Sequence, residues 1–276
     1  MKSSQLFSLE GKNILVTGGA GLIGKEICQT FIEHGASIAI TDIIEKEDLD
    51  ELASTLNTRN TESRIICINA DITDYNSVNN LFTKFKDRFN KLDVLVNLAA
   101  IDAKIEKNKW DQKYHFDNYP IALWEQSLKV NCTGMFLLTQ QAIRLMLKQG
   151  KGNIIHVASG YSTIAPNQAL YNDSEKPDEI IHKPIDYIAS KSMVPNFTRY
   201  IASTYGKNNI RCNAVMPHGV YDGHSEKFRK NFANFSPLGR MSDKKELRGP
   251  FVFLASDASS YITGTILDVT GGWTAW

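Results

Sequence analysis

Tyr187 and Lys191 stand four residues apart in the run Tyr187-Ile188-Ala189-Ser190-Lys191. Residues at i and i+4 share one face of a helix, so a helical reading of this stretch brings the Lys191 ammonium near the Tyr187 phenol. A neighbouring positive charge favours the phenolate. An ordinary tyrosine has a pKa of about 10, and moving it to ~7 takes roughly 4 kcal/mol of differential stabilisation. A phenol adjusted in this way can act as a general acid or base near neutral pH. Taken alone, the pair is also what a solvated helix face would carry. The rest of the chain decides between the two.

The elements that would position this pair alternate along the sequence. Short apolar runs at Asn13 to Thr17, Ser37 to Thr41, Arg64 to Ile68, Leu92 to Asn97, Gly152 to Ala158, Arg211 to Met216 and Ile266 to Val269 read as strands. Between them lie helical stretches: Leu22 to Glu33, with Ile23, Ile27 and Phe31 on one face and Gly35 as its stop, then Val130 to Gln149, Tyr187 to Tyr205 and Lys244 to Ala255. Near-continuous apolar strands separated by helices call for a parallel sheet covered on both faces, and right-handed crossovers wind it both ways. The expected fold class is therefore α/β. It is a single-domain Rossmann-like, doubly wound architecture with a mainly parallel seven-stranded sheet. No internal repeat, low-complexity tract or linker divides residues 1–276.

The first strand runs into Thr17-Gly18-Gly19-Ala20-Gly21-Leu22-Ile23-Gly24, where the first helix opens. Glycines there let the backbone turn tightly and approach a pyrophosphate seated at the helix N-terminus. Gly18, Gly21, Leu22, Ile23 and Gly24 are thus candidate cofactor contacts; a purely structural tight turn is the alternative. Asp42 ends the second strand about twenty residues on, the place from which a carboxylate hydrogen-bonds adenosine ribose hydroxyls and repels a 2′-phosphate. That favours NAD over NADP. Lys46 nearby is the residue that speaks for the extra phosphate.

With both ends in view, the chain resembles the short-chain dehydrogenase/reductases, in their shorter single-domain branch, from about Lys12 to the C-terminus. The resemblance implies a role for each matching position. Asp71 and Ile72 would meet the adenine, and Asn97 and Ala99, in Asn97-Leu98-Ala99-Ala100, would line the cofactor. Asn131 would hold a water of a proton relay, and Ser159 would hydrogen-bond the substrate's reacting oxygen. Tyr187 would be the catalytic acid/base. Lys191 would bind the nicotinamide ribose and lower the Tyr187 pKa. Pro217, Gly219 and Val220 would form the turn beside the nicotinamide. Homodimers or homotetramers joined through the helices at Val130 to Gln149 and Tyr187 to Tyr205 are implied as well, with Trp273 and Trp276 at a further subunit contact.

Departures from the family pattern mark where this chain is particular. The spacing Gly18, Gly21, Gly24 resembles the longer, sugar-nucleotide-modifying branch, whereas the shorter branch has a glycine at the position of Leu22. Leu98 and Ala100 stand for Asn and Gly, His218 for the Gly after Pro217, and Thr270 for Asp. Two segments are longer than usual, near 102–118 and 163–184. Both leave the carboxyl ends of strands, where ligands bind in this fold. Asp102, Lys104, Glu106, Lys107, Lys109, Trp110, Lys113 and His115 populate one; Asn172, Asp173, Ser174, Glu175, Lys176, Asp178 and Glu179 the other. The loop after strand six adds His218, Tyr221, His224, Lys227, Arg229 and Lys230. Such loops are either simply solvated or line a site for a polar molecule, a polyol, sugar or phosphorylated sugar. Through the resemblance they also point to surface-glycan synthesis.

Composition removes other classes. Of 276 residues 42% are hydrophobic and 22% charged, with a net charge of +1, which argues against disorder and against a polyanion-binding surface over the whole protein, local basic patches aside; no nucleic-acid partner is expected. No apolar run approaches the ~20 residues of a spanning helix, and the N-terminal stretch lacks a secretory h-region. A cytoplasmic protein away from membranes is expected. Cys28, Cys67, Cys132 and Cys212 lack zinc or disulfide spacing, and the six histidines form no metal-ligand pattern, so no metal is expected. The leading expectation is an NAD(H)-dependent oxidoreductase on a hydroxyl or carbonyl of a polar small molecule. A sugar-nucleotide epimerase or dehydratase with tightly bound NAD is the second reading, and a non-catalytic nucleotide-sensing protein the third.

Overall fold

The computed structural model describes residues 3–56, 64–102, 115–171 and 182–275. Much of the expected insertions, from Lys104 to Lys113 and from Asn172 to Glu179, lies outside the described residues, as does Trp276.

Runs such as Ile14-Leu15-Val16 have no polar alternation, so both faces of each strand need apolar cover. The chain supplies it with one parallel sheet: β1 (Asn13–Thr17), β2 (Ser37–Asp42), β3 (Ile65–Asn69), β4 (Val94–Asn97), β5 (Gly152–Val157), β6 (Ile210–Pro217) and β7 (Ile266–Val269). The strand order is β3-β2-β1-β4-β5-β6-β7. Side chains alternate between the two faces with period two. Ile14, Val16, Ile38, Ile40, Val94 and Val96 enter one core; Leu15, Ala39 and Leu95 enter the other.

Eight α-helices cover these faces among the described residues: α1 (Leu22–Glu33), α2 (Lys46–Leu56), α3 (Tyr75–Arg88), α4 (Ile121–Leu128), α5 (Met135–Gln149), α6 (Ile185–Tyr205), α7 (Glu226–Phe235) and α8 (Arg248–Ala255). Phe31 of α1, Leu49 of α2 and Phe251 of α8 pack on the first face. Phe85 of α3, Met146 of α5 and Ile201 of α6 pack on the second. Two expected helices prove composite. The stretch expected from Val130 to Gln149 begins inside a π-turn, Lys129–Gly134, that joins α4 to α5. Lys244–Leu247 is a separate 3₁₀ turn closed by an Asp243/Glu246 capping box. Pro250 then falls in the first turn of α8, where its missing N–H costs nothing.

The strand order reverses between β1 and β4, whose neighbours run off in opposite directions. Loops leaving the carboxyl ends of these two strands part there and open a crevice. Among the described residues no helix is long and apolar enough to cross a membrane, and no group of three potential metal ligands occurs. The four cysteines are free thiols.

Beneath the crevice a polar chain ties four elements together. The Asn97 amide of β4 donates to Thr139 Oγ1 of α5 at 3.0 Å. Thr139 lies 3.2 Å from His156 Nε2 of β5, and His156 Nδ1 lies 3.0 Å from Thr198 Oγ1 of α6. Thr198 donates on to the Val194 carbonyl at 2.8 Å. These contacts are consistent with one direction of donation, in which His156 is neutral and carries its proton on Nδ1. Burial pushes this imidazole down to about 3, with the Lys191 charge adding to the effect.

Candidate active site

The turn after β1 is shaped by close approach. Gly18 has φ +66°, and a Cβ there would stand 2.7 Å from the Ala99 Cα; a Cβ on Gly24 would stand 2.2 Å from the Gly18 carbonyl oxygen. Only glycine fits either place. Gly21 caps α1 without a side-chain hydrogen bond, so the amides opening α1 are left for a ligand. Asp42 reaches back to this turn: one oxygen accepts from the Ala20 N–H at 3.0 Å, the other from the Ile43 N–H at 2.8 Å. Each carboxylate oxygen keeps capacity for another donor. Gly18, Gly21, Leu22, Ile23, Gly24, Asp42, Asp71, Ile72, Ala99, Pro217, Gly219 and Val220 all line one cleft of about 1970 Å³. Uncapped helix amides as donors, a glycine cradle and an accepting carboxylate at the end of β2 are the groups a dinucleotide site uses.

Farther along the same cleft, Ser159 is the N-cap of a short 3₁₀ turn, which fixes its side chain at the end of β5. Its hydroxyl accepts from the Tyr161 N–H at 3.2 Å, and it lines the cleft together with Tyr187. Lys191 follows one turn later on α6, its ammonium 5.8 Å from the centre of the Tyr187 ring and donating to the Val157 carbonyl at 2.8 Å. The fold thus brings Ser159, Tyr187 and Lys191 together beside the crevice. Asn131 lies behind them in the π-turn, a helix irregularity frequent at functional sites. Its carbonyl accepts from the Ile101 N–H at 2.8 Å, and its two N–H groups donate to the Ile101 carbonyl and to Ser190 Oγ, each at 2.9 Å. Both donors are therefore used within the protein, and any water held by this side chain would donate to its carbonyl oxygen. Asn97 does not reach the cleft wall: it is buried and bonded to Thr139, so it braces the wall from behind.

The far wall is aromatic. The Tyr161 and Tyr171 hydroxyls are 2.7 Å apart. His218 is packed against Trp273 at 4.8 Å and meets Tyr161 edge-on at 4.8 Å. Burial pushes His218 down to about 4, so it is neutral near pH 7. Most of the charges expected in the two insertions lie outside the described residues; the described wall combines phenols and ring faces with His224, Lys227 and the Lys183–Asp102 ion pair, 2.5 Å between Nζ and Oδ1. Lys183 was not singled out from sequence, although it stands four residues before Tyr187, the same spacing that marked Lys191.

Comparison with known proteins agrees with this geometry. Residues 12–175 match the family model for short chain dehydrogenases. The chain belongs to that family. Residues 178–274 match the model described as enoyl-(acyl carrier protein) reductase. The chain is 30% identical to an NAD-dependent glycerol dehydrogenase of Listeria innocua, over 97% of this chain and 96% of that enzyme. It is 31% identical to a galactitol 2-dehydrogenase (L-tagatose-forming) of Cereibacter sphaeroides, over 98% of each. A gluconate 5-dehydrogenase of Burkholderia cenocepacia, solved in complex with NADP and tartrate, superposes with a TM-score of 0.84 at 26% identity, over 99% of this chain and 98% of that one.

As a short-chain dehydrogenase the chain is an oxidoreductase, and one electrostatic feature differs from expectation. The family resemblance implies a phenol lowered by Lys191. Here burial pushes Tyr187 above the ordinary phenol range, and the Asp102 carboxylate adds to that, while the Ser159 hydroxyl opposes it. Lys191 itself is pushed down to about 8 by burial. The ammonium answers first to its own desolvation.

Proposed function

We propose that this short-chain dehydrogenase is NAD(H)-dependent and oxidises a secondary hydroxyl of a neutral polyol or sugar, or reduces the matching carbonyl. The observation that carries the proposal is that Ser159 and Tyr187 line the same cleft as the glycine turn, with the Lys191 ammonium 5.8 Å from the centre of the Tyr187 ring. Ser159 orients the reacting oxygen. Tyr187 takes the hydroxyl proton during oxidation and returns it during reduction. Lys191 holds the positive charge that stabilises the phenolate, and Asn131 fixes the Ile101 loop and Ser190 behind it. A bound nicotinamide supplies the hydride acceptor or donor.

NAD is preferred over NADP on the ground of Asp42, whose charge would face a 2′-phosphate, while Lys46 is paired with Asp50 at 3.7 Å. The glycerol and galactitol dehydrogenases among the relatives support a polyhydroxy substrate; an intermediate of surface-glycan synthesis belongs to the same class. Exposed Phe136, Leu147 and Tyr200 on α5 and α6 support a homo-oligomer, to be read by light scattering. The glycine spacing supports the epimerase or dehydratase reading, in which NAD copurifies and no NADH accumulates.

The test is a spectrophotometric screen with NAD and NADP over polyols, sugars and sugar phosphates. Stoichiometric NADH release is expected. Tyr187→Phe should lower kcat by about 10²–10⁴ with NADH affinity unchanged. Wild-type rates in that variant would remove the mechanism.

A further inference from the structure

Asp102 leaves the end of β4 and Lys183 precedes α6, so the pair joins the two loops that border the substrate side. The Lys183 backbone N–H is held by Gln168 Oε1 at 2.9 Å, and the rings of His115 and His182, at the described ends of the same loops, stack at 4.6 Å. The Lys183 side chain is 9% exposed and that of Asp102 44%. Both line the cleft beside Ser159 and Tyr187, and the Lys183 ammonium lies over the Tyr187 ring, 5.0 Å from its centre. An ion pair whose carboxylate stays half-exposed is screened by solvent and contributes on the order of 1 kcal/mol to stability. Its place accounts for it better than its strength.

The reacting oxygen of a substrate has to lie against the Ser159 and Tyr187 hydroxyls. A group poised over the Tyr187 ring therefore meets the next part of the substrate skeleton. An ammonium has three N–H donors and a carboxylate about four acceptor sites, and their mutual bond uses one of each. A hydroxyl both accepts and donates, so one hydroxyl can satisfy the ammonium and the carboxylate together. A carboxylate or phosphate would meet Asp102 as a like charge. A monoalcohol would leave the pair desolvated and unmatched, which is how polar sites reject analogues lacking a hydroxyl.

Building on the functional reading above, we propose that Asp102 and Lys183 form the specificity-determining subsite, recognising a hydroxyl on the carbon beside the reacting one. It selects neutral vicinal diols over monoalcohols and over acidic or phosphorylated analogues.

The experiment compares kcat/KM for glycerol, propane-1,2-diol and propan-2-ol, each with NAD, in wild type, Asp102→Asn, Lys183→Met and Lys183→Arg. Wild type should prefer both diols over propan-2-ol by about 100-fold or more. Asp102→Asn and Lys183→Met should each reduce that preference about tenfold. The ratio cancels any effect on Tyr187 common to all three alcohols. Lys183→Arg keeps an ion pair across the loops but replaces a compact ammonium with a longer planar fork. The diol preference should fall there too, whereas a pair serving only to join the loops would leave it unchanged. Wild type that oxidises propan-2-ol as well as glycerol, or variants that lower all three rates equally, overturn the subsite and leave the dehydrogenase reading intact. No turnover of these alcohols or of any polyol, with either cofactor, overturns both.

Discussion

Lys191 is 3% exposed, and its side chain makes the contact to Val157 deep against β5. Burial lowers it from 10.5 to about 8. The folded pKa lies below the unfolded value, so the unfolded chain binds more protons between about pH 8 and 10.5. The cost of burying the charge is full below about pH 8 and is relieved as pH rises toward 10.5. Lys191→Met should therefore stabilise the ligand-free protein at pH 7 by roughly 2 kcal/mol, after the lost hydrogen bond is discounted. That gain should vanish by about pH 10.5, while turnover collapses. Calorimetry at pH 7 and pH 10 checks it; a destabilised variant at pH 7 would contradict the assignment. Such an exchange of stability for activity is common where a site keeps a charge out of water.

At the scale of elements, the chain from Asn97 through Thr139, His156 and Thr198 fastens β4, α5, β5 and α6 beneath the site. A neutral buried imidazole has a defined acid signature. The folded pKa of His156, about 3, lies below its ordinary 6.5, so the unfolded state binds more protons in between and stability falls as pH drops through that window. His156→Leu should cost about 2–4 kcal/mol at pH 7, because it leaves the buried Thr139 hydroxyl proton without its acceptor and takes the donor from the buried Thr198 oxygen. The difference from wild type should narrow by about 2 kcal/mol at pH 5, because the variant lacks the acid-sensitive group. Urea denaturation at the two pH values reads this directly. The π-turn at Lys129–Gly134 belongs to the same scale. It places Asn131 so that one amide holds both Ile101 and Ser190, linking the loop after β4 to α6.

Across the whole molecule, the cleft spans the point where strand order reverses, with the glycine turn and Asp42 on one side and Ser159, Tyr187 and Pro217 on the other. A dinucleotide seated there would bridge both halves of the sheet, and ligand that binds only the folded state stabilises it by mass action, about 2.7 kcal/mol at a hundredfold excess over Kd. For a chain of this size that is a rise in Tm of roughly 5 °C. NAD should produce it, NADP much less, and Asp42→Ala should erase the difference between the two. A thermal-shift titration with both cofactors decides the matter, and equal shifts in the wild type would defeat the role given to Asp42.

The apolar strand runs, the Gly18 to Gly24 turn and the Tyr187/Lys191 spacing made the sheet, the close-packed glycine turn and the proximity of Tyr187 and Lys191 legible in the sequence, because each depends on local period or backbone freedom. The π-turn was not legible: Val130 to Gln149 has an ordinary helical pattern, and only packing against Ile101 and Ser190 distinguishes the widened turn. Nor was the inward turn of Asn97, which depends on Thr139 lying 42 residues away. The Asp102–Lys183 pair joins residues 81 apart, and the upward push on Tyr187 comes from burial together with that distant carboxylate. Local chemistry follows from neighbours in the chain. The electrostatics of the cleft follow from neighbours in space, and those exist only once the sheet has closed its loops over one another.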